Sequence, residues 1–147
     1  MPVMNNVAPL LPESLPLTPA RNSPSVLVVE DSFAISIVLS RLLEREGYQV
    51  SLATTAPEAK SVVIDQIAKI DLVLLDVNLP GGTGFDILQT IRERSQVPVI
   101  MLSALKQNHN VERGLELGAQ DFVTKPFNPR ELLLRVKQHT KCGADLA

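Results

Sequence analysis

The chain has 147 residues, the length of one domain at the usual ~100–200 residues per domain. Hydrophobic residues make up 45% and charged residues 20%, a globular composition that excludes a wholly disordered chain. A net charge of −2, no tryptophan and one tyrosine argue against a basic nucleic-acid surface or a base-stacking platform. The one cysteine, Cys142, excludes an intrachain disulfide framework and a cysteine-rich zinc site. No apolar run approaches the ~18–20 residues of a membrane span, so the expected compartment is the cytoplasm.

Residues 1–24 hold Pro2, Pro9, Pro12, Pro16, Pro19 and Pro24 and only two charges, Glu13 and Arg21. Prolines this dense break helices and remove ladder donors. The stretch has no basic start and no uninterrupted apolar core, so it is not a signal peptide. It reads as a flexible, partly polyproline-like tail, with a docking arm as the alternative. From Ser25 to about residue 140, short β-branched runs alternate with helical patterns. Residues 141–147 read as a C-terminal tail.

The first run, Val26-Leu27-Val28-Val29, is continuously apolar, as a strand buried on both faces should be. A helix follows, with Ile35, Val38, Leu39 and Leu42 at i, i+3, i+4, i+7 and Gly47 as its stop. Val50-Ser51-Leu52-Ala53 alternates, which suits a place near a sheet edge. Thr55-Ala56-Pro57-Glu58 predicts a capping box, with Ala59, Val63 and Ile67 facing inward. Leu72-Val73-Leu74-Leu75 and Val97–Leu102 are again buried strands. Phe85, Leu88 and Ile91 mark the helix between them; Gly81-Gly82-Thr83-Gly84 reads as a turn, since it lacks the Lys-Ser/Thr of a phosphate loop. Val111 and Leu115 mark a short fourth helix stopped by Gly118. Asp121-Phe122-Val123 is a short strand suited to the other edge. Asn128-Pro129-Arg130-Glu131 opens a fifth helix, with Leu132, Leu133 and Val136 facing the core. Five strand–helix pairs in alternation predict a doubly wound parallel sheet covered on both faces.

Such sheets place their sites at the carboxyl ends of strands. There the sequence puts Glu30-Asp31, Asp76-Val77-Asn78, Ser103 and Thr124-Lys125. Three carboxylates at one sheet edge repel one another and call for a hard divalent cation such as Mg²⁺. A carboxylate is also a competent nucleophile, and Lys125 is suited to pairing with phosphoryl oxygens. Together these are the parts of a phosphoryl-accepting site. His109 and His139 have no second ligand at metal spacing and read as solvated, His139 suiting a helix C-terminus. Cys142 reads as an inert thiol.

In this order and spacing the motifs resemble the receiver domain of bacterial two-component response regulators. They are Val28-Val29-Glu30-Asp31-Ser32, Leu74-Leu75-Asp76-Val77-Asn78-Leu79-Pro80 with Gly84, Met101-Leu102-Ser103-Ala104, and Gly118 through Phe127. The late stretch looks most like the subfamily with a winged-helix output domain, which is absent from this sequence. The resemblance implies a flavodoxin-like sheet of order 2-1-3-4-5, an order described for the chemotaxis member of this family. It implies Asp76 as phosphoacceptor, Asp31 and Asp76 as direct Mg²⁺ ligands, Glu30 acting through water and Asn78 offering its carbonyl. Ser103 and Lys125 would hold phosphoryl oxygens, and Lys125-Pro126 would be cis. The partner would be a histidine kinase or phosphotransfer protein. The module would catalyse only its own phosphorylation and dephosphorylation, with no direct nucleic-acid or membrane binding.

Four positions depart from the common pattern: Glu30 for Asp, Ser103 for Thr, Phe122 for Tyr, and Gln120 for an acidic residue of the subfamily's dimer face. The last weakens the case for a receiver homodimer through helix 4, strand 5 and helix 5. Ser103 and Phe122 are the expected switch pair, carrying a change to Leu132–Val136 and a loop at Asn108. Three other readings fit less well. A phosphatase of the aspartyl-phosphate type wants Asp where Asn78 stands. A flavin binder wants a phosphate loop where Glu30-Asp31 stands. A degenerate, binding-only receiver would not keep Asp76, the acidic pair and Lys125. The chain ends soon after the fifth helix, as a stand-alone receiver or the input half of a longer regulator.

Overall fold

Each continuous apolar run of the sequence forms a central strand. The computed structural model describes residues 23–104 and 108–140, with residues 108 and 109 described only by their place in a helix. Residues 1–22, the His109 side chain, Cys142 and the 141–147 tail lie outside the described residues. Ten elements alternate: β1 (Ser25–Val29), α1 (Phe33–Arg45), β2 (Gln49–Ala53), α2 (Ala56–Gln66), β3 (Leu72–Asp76), α3 (Gly84–Arg92), β4 (Val99–Ser103), α4 (Asn108–Glu116), β5 (Asp121–Thr124) and α5 (Pro129–Thr140). The five strands pair in parallel in the order β2-β1-β3-β4-β5, so the two edge positions fall on the alternating and the shortest run. The Gly81–Gly84 stretch closes a two-residue antiparallel hairpin, Asn78–Leu79 with Gly82–Thr83, between β3 and α3. No helix among the described residues is long and apolar enough to cross a membrane.

Strand side chains alternate between two cores. Leu27, Val29, Val73, Leu75, Val99 and Met101 pack under α2 and α3 with Val63, Ile87, Leu88 and Ile91. Val26, Val28, Leu72, Leu74, Ile100 and Leu102 pack under α1 and α5 with Leu39, Leu43, Leu132 and Val136. Asn128 caps α5 as its sequence predicts, accepting from the amides of Arg130 and Glu131 at 2.8 and 3.2 Å.

Local geometry corrects four readings. In α1 the buried stripe is Ser36, Leu39 and Leu43, while Leu42 is half-buried and Val38 is 51% exposed. A serine tolerates the buried position because its hydroxyl donates to the Phe33 carbonyl at 2.8 Å. In α4 Leu115 faces solvent and the buried position is Gly114. The Thr55 cap accepts from Glu58 as predicted, but Glu58 turns back to the Thr54 amide at 2.7 Å, one residue earlier than a capping box requires. Asn108 begins α4 rather than lying in a loop.

Candidate functional site

Parallel pairing brings the carboxyl ends of β1, β3, β4 and β5 to one edge, with the change of strand order at β1 and β3. Glu30 directly follows β1, and its amide donates to Ala53 at 3.0 Å, so the ladder holds it in place. Its side chain is buried, and Oε2 accepts from the Ser32 amide at 3.1 Å. Ser32 also caps α1, so one residue fixes both the helix start and the acid. Asp31 is exposed beside it. Asp76 and Ser103 are the last residues of β3 and β4, so each strand ends one residue later than its apolar run, because both remain paired in the sheet. Both are buried.

Oxygens of Glu30, Asp31 and Asp76 lie within 4.8 Å of one another. The Lys125 ammonium donates to Glu30 Oε1 at 2.6 Å and to Asp76 Oδ2 at 3.1 Å. The other Asp76 oxygen accepts from the Asn78 amide at 3.2 Å. Lys125 follows β5, its amide donates to the Ser103 carbonyl at 2.7 Å, and the Lys125–Pro126 bond is cis. Gly84 packs so closely on this turn that a Cβ would overlap the Asp76 carbonyl oxygen, which explains why the motif needs glycine there. Burial pushes the Glu30 carboxyl up from its ordinary value and the charge of Asp76 adds to this, against the pull of Lys125 and the Ser32 amide. Burial alone would lower the Lys125 ammonium. Its hydrogen bond to Glu30 and the charge of Asp76 outweigh that and hold it above its ordinary value.

The sequence-predicted Glu30, Asp31, Asp76 and Lys125 therefore converge in one cluster, with Asn78 and Ser103 on its rim. Phe122 is a neighbour at one remove, half-buried against Met101 and α4. An apolar groove of about 290 Å³ borders Lys125, lined by Ala34, Ile35, Val38, Phe127 and Pro129. Three features escaped the sequence reading. Gln120 Oε1 accepts from Arg92 at 2.7 Å and from the Val99 amide at 2.8 Å, so it closes a clamp inside the chain. Arg113 lies 4.9 Å over the Phe85 ring and joins α4 to α3. His139, read as solvated, sits 3.3 Å from Asp121, which also takes Arg135 at 2.6 Å.

A five-stranded doubly wound α/β domain with an acid–lysine cluster at its switch point defines a CheY-like receiver. The chain matches the model of the response regulator receiver domain over residues 26–137, and it belongs to that family. It is 43% identical over 121 residues to the sensory transduction protein RegX3 of Mycobacterium tuberculosis, covering 82% of this chain and 52% of the relative. It is 42% identical over 118 residues to the transcriptional regulatory protein YvrH of Bacillus subtilis, covering 80% and 49%. The chain thus spans about half the length of these curated relatives. Among solved structures it superposes on a CheY-like receiver domain protein from Methanospirillum hungatei with a TM-score of 0.77 at 29% identity, covering 86% of this chain and 100% of that one. The BeF3-activated DrrB receiver domain gives a TM-score of 0.72 at 36% identity, covering 81% and 98%.

Proposed function

We propose that this receiver accepts a phosphoryl group on Asp76 from a histidine kinase or phosphotransfer protein and switches a partner or output domain. The observation that carries this is the Lys125 ammonium held between Asp76 and the buried Glu30. An Asp76 oxygen forms the new P–O bond as the donor's bond to phosphorus breaks. Lys125, oriented by Glu30, then pairs with a phosphoryl oxygen, and the Ser103 hydroxyl takes another by a charge-assisted hydrogen bond. Three hard carboxylate oxygens within 4.8 Å fit a divalent cation of the Mg²⁺ type. Asp31 and Asp76 would hold it directly, with Glu30 through water and the Asn78 carbonyl completing the protein's share. Its charge would screen the carboxylates and the phosphoryl oxygens from one another. This catalysis serves only the domain's own phosphorylation and dephosphorylation. The site works in the cytoplasm, without direct nucleic-acid or membrane contact by this chain.

Movement of Ser103 toward the phosphoryl group opens space for the Phe122 ring, and α4, β5 and α5 change packing as a population shift. A receiver homodimer through that surface is one readout. Gln120, held by Arg92 and the Val99 amide, contributes no charge to such a face. Incubation with a small acyl phosphate and Mg²⁺ should add one phosphoryl mass to the chain and none to Asp76→Asn. Equal labelling of both would remove the assignment.

A further inference from the structure

We propose that the apolar groove between α1 and the start of α5 is a docking site for a proline-pair peptide, and that its occupant is this chain's own Pro9-Leu10-Leu11-Pro12. The groove holds about 290 Å³. Ile35 and Phe127 line it half-buried against the core, while Ala34, Val38 and Pro129 stand exposed. Lys125 is its one charged member, and that ammonium is turned to Glu30 and Asp76, so the groove meets the apolar stem. A charged or strongly hydrogen-bonding ligand therefore finds no free side chain to pair with there. Phe33, next to Ala34 in the chain, is 78% exposed as well. Contiguous apolar surface marks a binding site, whereas singly scattered apolar residues do not.

The sequence supplies a segment of matching chemistry. Residues 1–22 hold five prolines and two charges, and Pro9 to Pro12 and Pro16 to Pro19 repeat a spacing of three. Three residues make one turn of polyproline helix, so each pair can present two rings on one edge. Such segments dock in apolar, aromatic-lined grooves at low ordering cost, because proline holds φ in advance. Reach selects the first pair. From Pro24, β1 climbs ~16 Å to the sheet edge where α1 begins, and α1 lies one layer of ~10 Å off the sheet, a span of ~19 Å. Five residue steps join Pro19 to Pro24 and extend to ~16 Å at most, whereas the twelve from Pro12 extend to ~40 Å. A tether that spans its site holds the segment at an effective concentration on the order of mM, enough for a weak contact.

The test uses the whole chain with Cys142→Ser and with Asn6→Cys carrying a nitroxide. With the label oxidised, the ¹⁵N amide signals of Ala34, Val38 and Phe127 should fall about twofold, and those of Ile64 and Leu88 on the other face of the sheet should hold. Val38→Glu, at an exposed position, should restore the Ala34 and Phe127 signals. Pro9→Ala with Pro12→Ala should do the same, and Pro16→Ala with Pro19→Ala should not. Signal loss in a ¹⁵N chain without nitroxide, mixed with the labelled chain, would assign the groove to a second copy and overturn the proposal. Undiminished signals in the labelled chain, loss spread evenly over both faces, or loss that persists in Val38→Glu would overturn it too. No phosphoryl donor enters the experiment, so its result is independent of whether Asp76 accepts a phosphoryl group.

Discussion

The side of the sheet under α1 and α5 and the quarter around α4 and β5 are built differently. Under α1 and α5, Val26, Val28, Leu39, Leu74 and Val136 are wholly buried. The ends of that layer are tied by Tyr48 to Thr140 at 2.9 Å and by Lys137 to Glu46 at 2.8 Å. Around α4 the buried position is a glycine, Phe122 and Leu117 are half-buried, and Leu115 faces water. Local opening costs least where few apolar contacts must break. The acid–lysine cluster lies where the two meet: Glu30 and Asp76 come from the firm centre, and Lys125 from the end of the soft edge strand. Under the proposed function, a charge change at Asp76 would meet one part that resists and one that yields.

Truncation in the firm part should cost most. Leu39→Ala leaves a cavity between α1 and the sheet and should lower unfolding free energy by about 3 kcal/mol in a urea titration. Lys125→Met, at the junction, leaves Glu30 buried beside Asp76 without its cation and should cost about 2 kcal/mol at neutral pH. That loss should shrink as pH falls, because burial already raises the Glu30 carboxyl and protonation removes its charge. In the native chain the Lys125 ammonium is raised from 10.5, so its contribution is fully present below pH 10.5 and is lost as pH rises through the folded value. Urea titrations of both chains from pH 5 to 11 check both signs. Tyr48→Phe removes the hydroxyl's bond to Thr140 while Thr140 keeps its bond to the Val136 carbonyl at 2.9 Å, a loss of about 1 kcal/mol. Leu115→Ala, in the soft quarter, should stay within about 0.5 kcal/mol of native.

The sequence made the strands and the acid–lysine cluster legible for physical reasons. Strands buried on both faces must be continuously apolar, and parallel pairing carries whatever follows β1, β3, β4 and β5 to one edge. Helix faces were harder to read. In α1 a serine that satisfies itself on Phe33 takes a core position and turns Val38 outward. In α4 a glycine carries no hydropathy by which to mark the inward side. Gln120 looked like a lost surface charge because its partners, Arg92 and Val99, lie 28 and 21 residues away. His139 looked solvated because Asp121 meets it only when α5 packs beside β5.

Under the proposed function, phosphorylation of Asp76 repacks the soft quarter and leaves the firm one in place. Amide chemical shifts with Mg²⁺, before and after addition of beryllium fluoride as a phosphoryl mimic, test it most directly. Shifts are expected at the rim of Asp76 and through Phe122 into residues 110–136, with little change at Leu43, Tyr48 or Val50. Shifts confined to the rim, with none in α4 or α5 beyond Ser103 and Lys125, would contradict it.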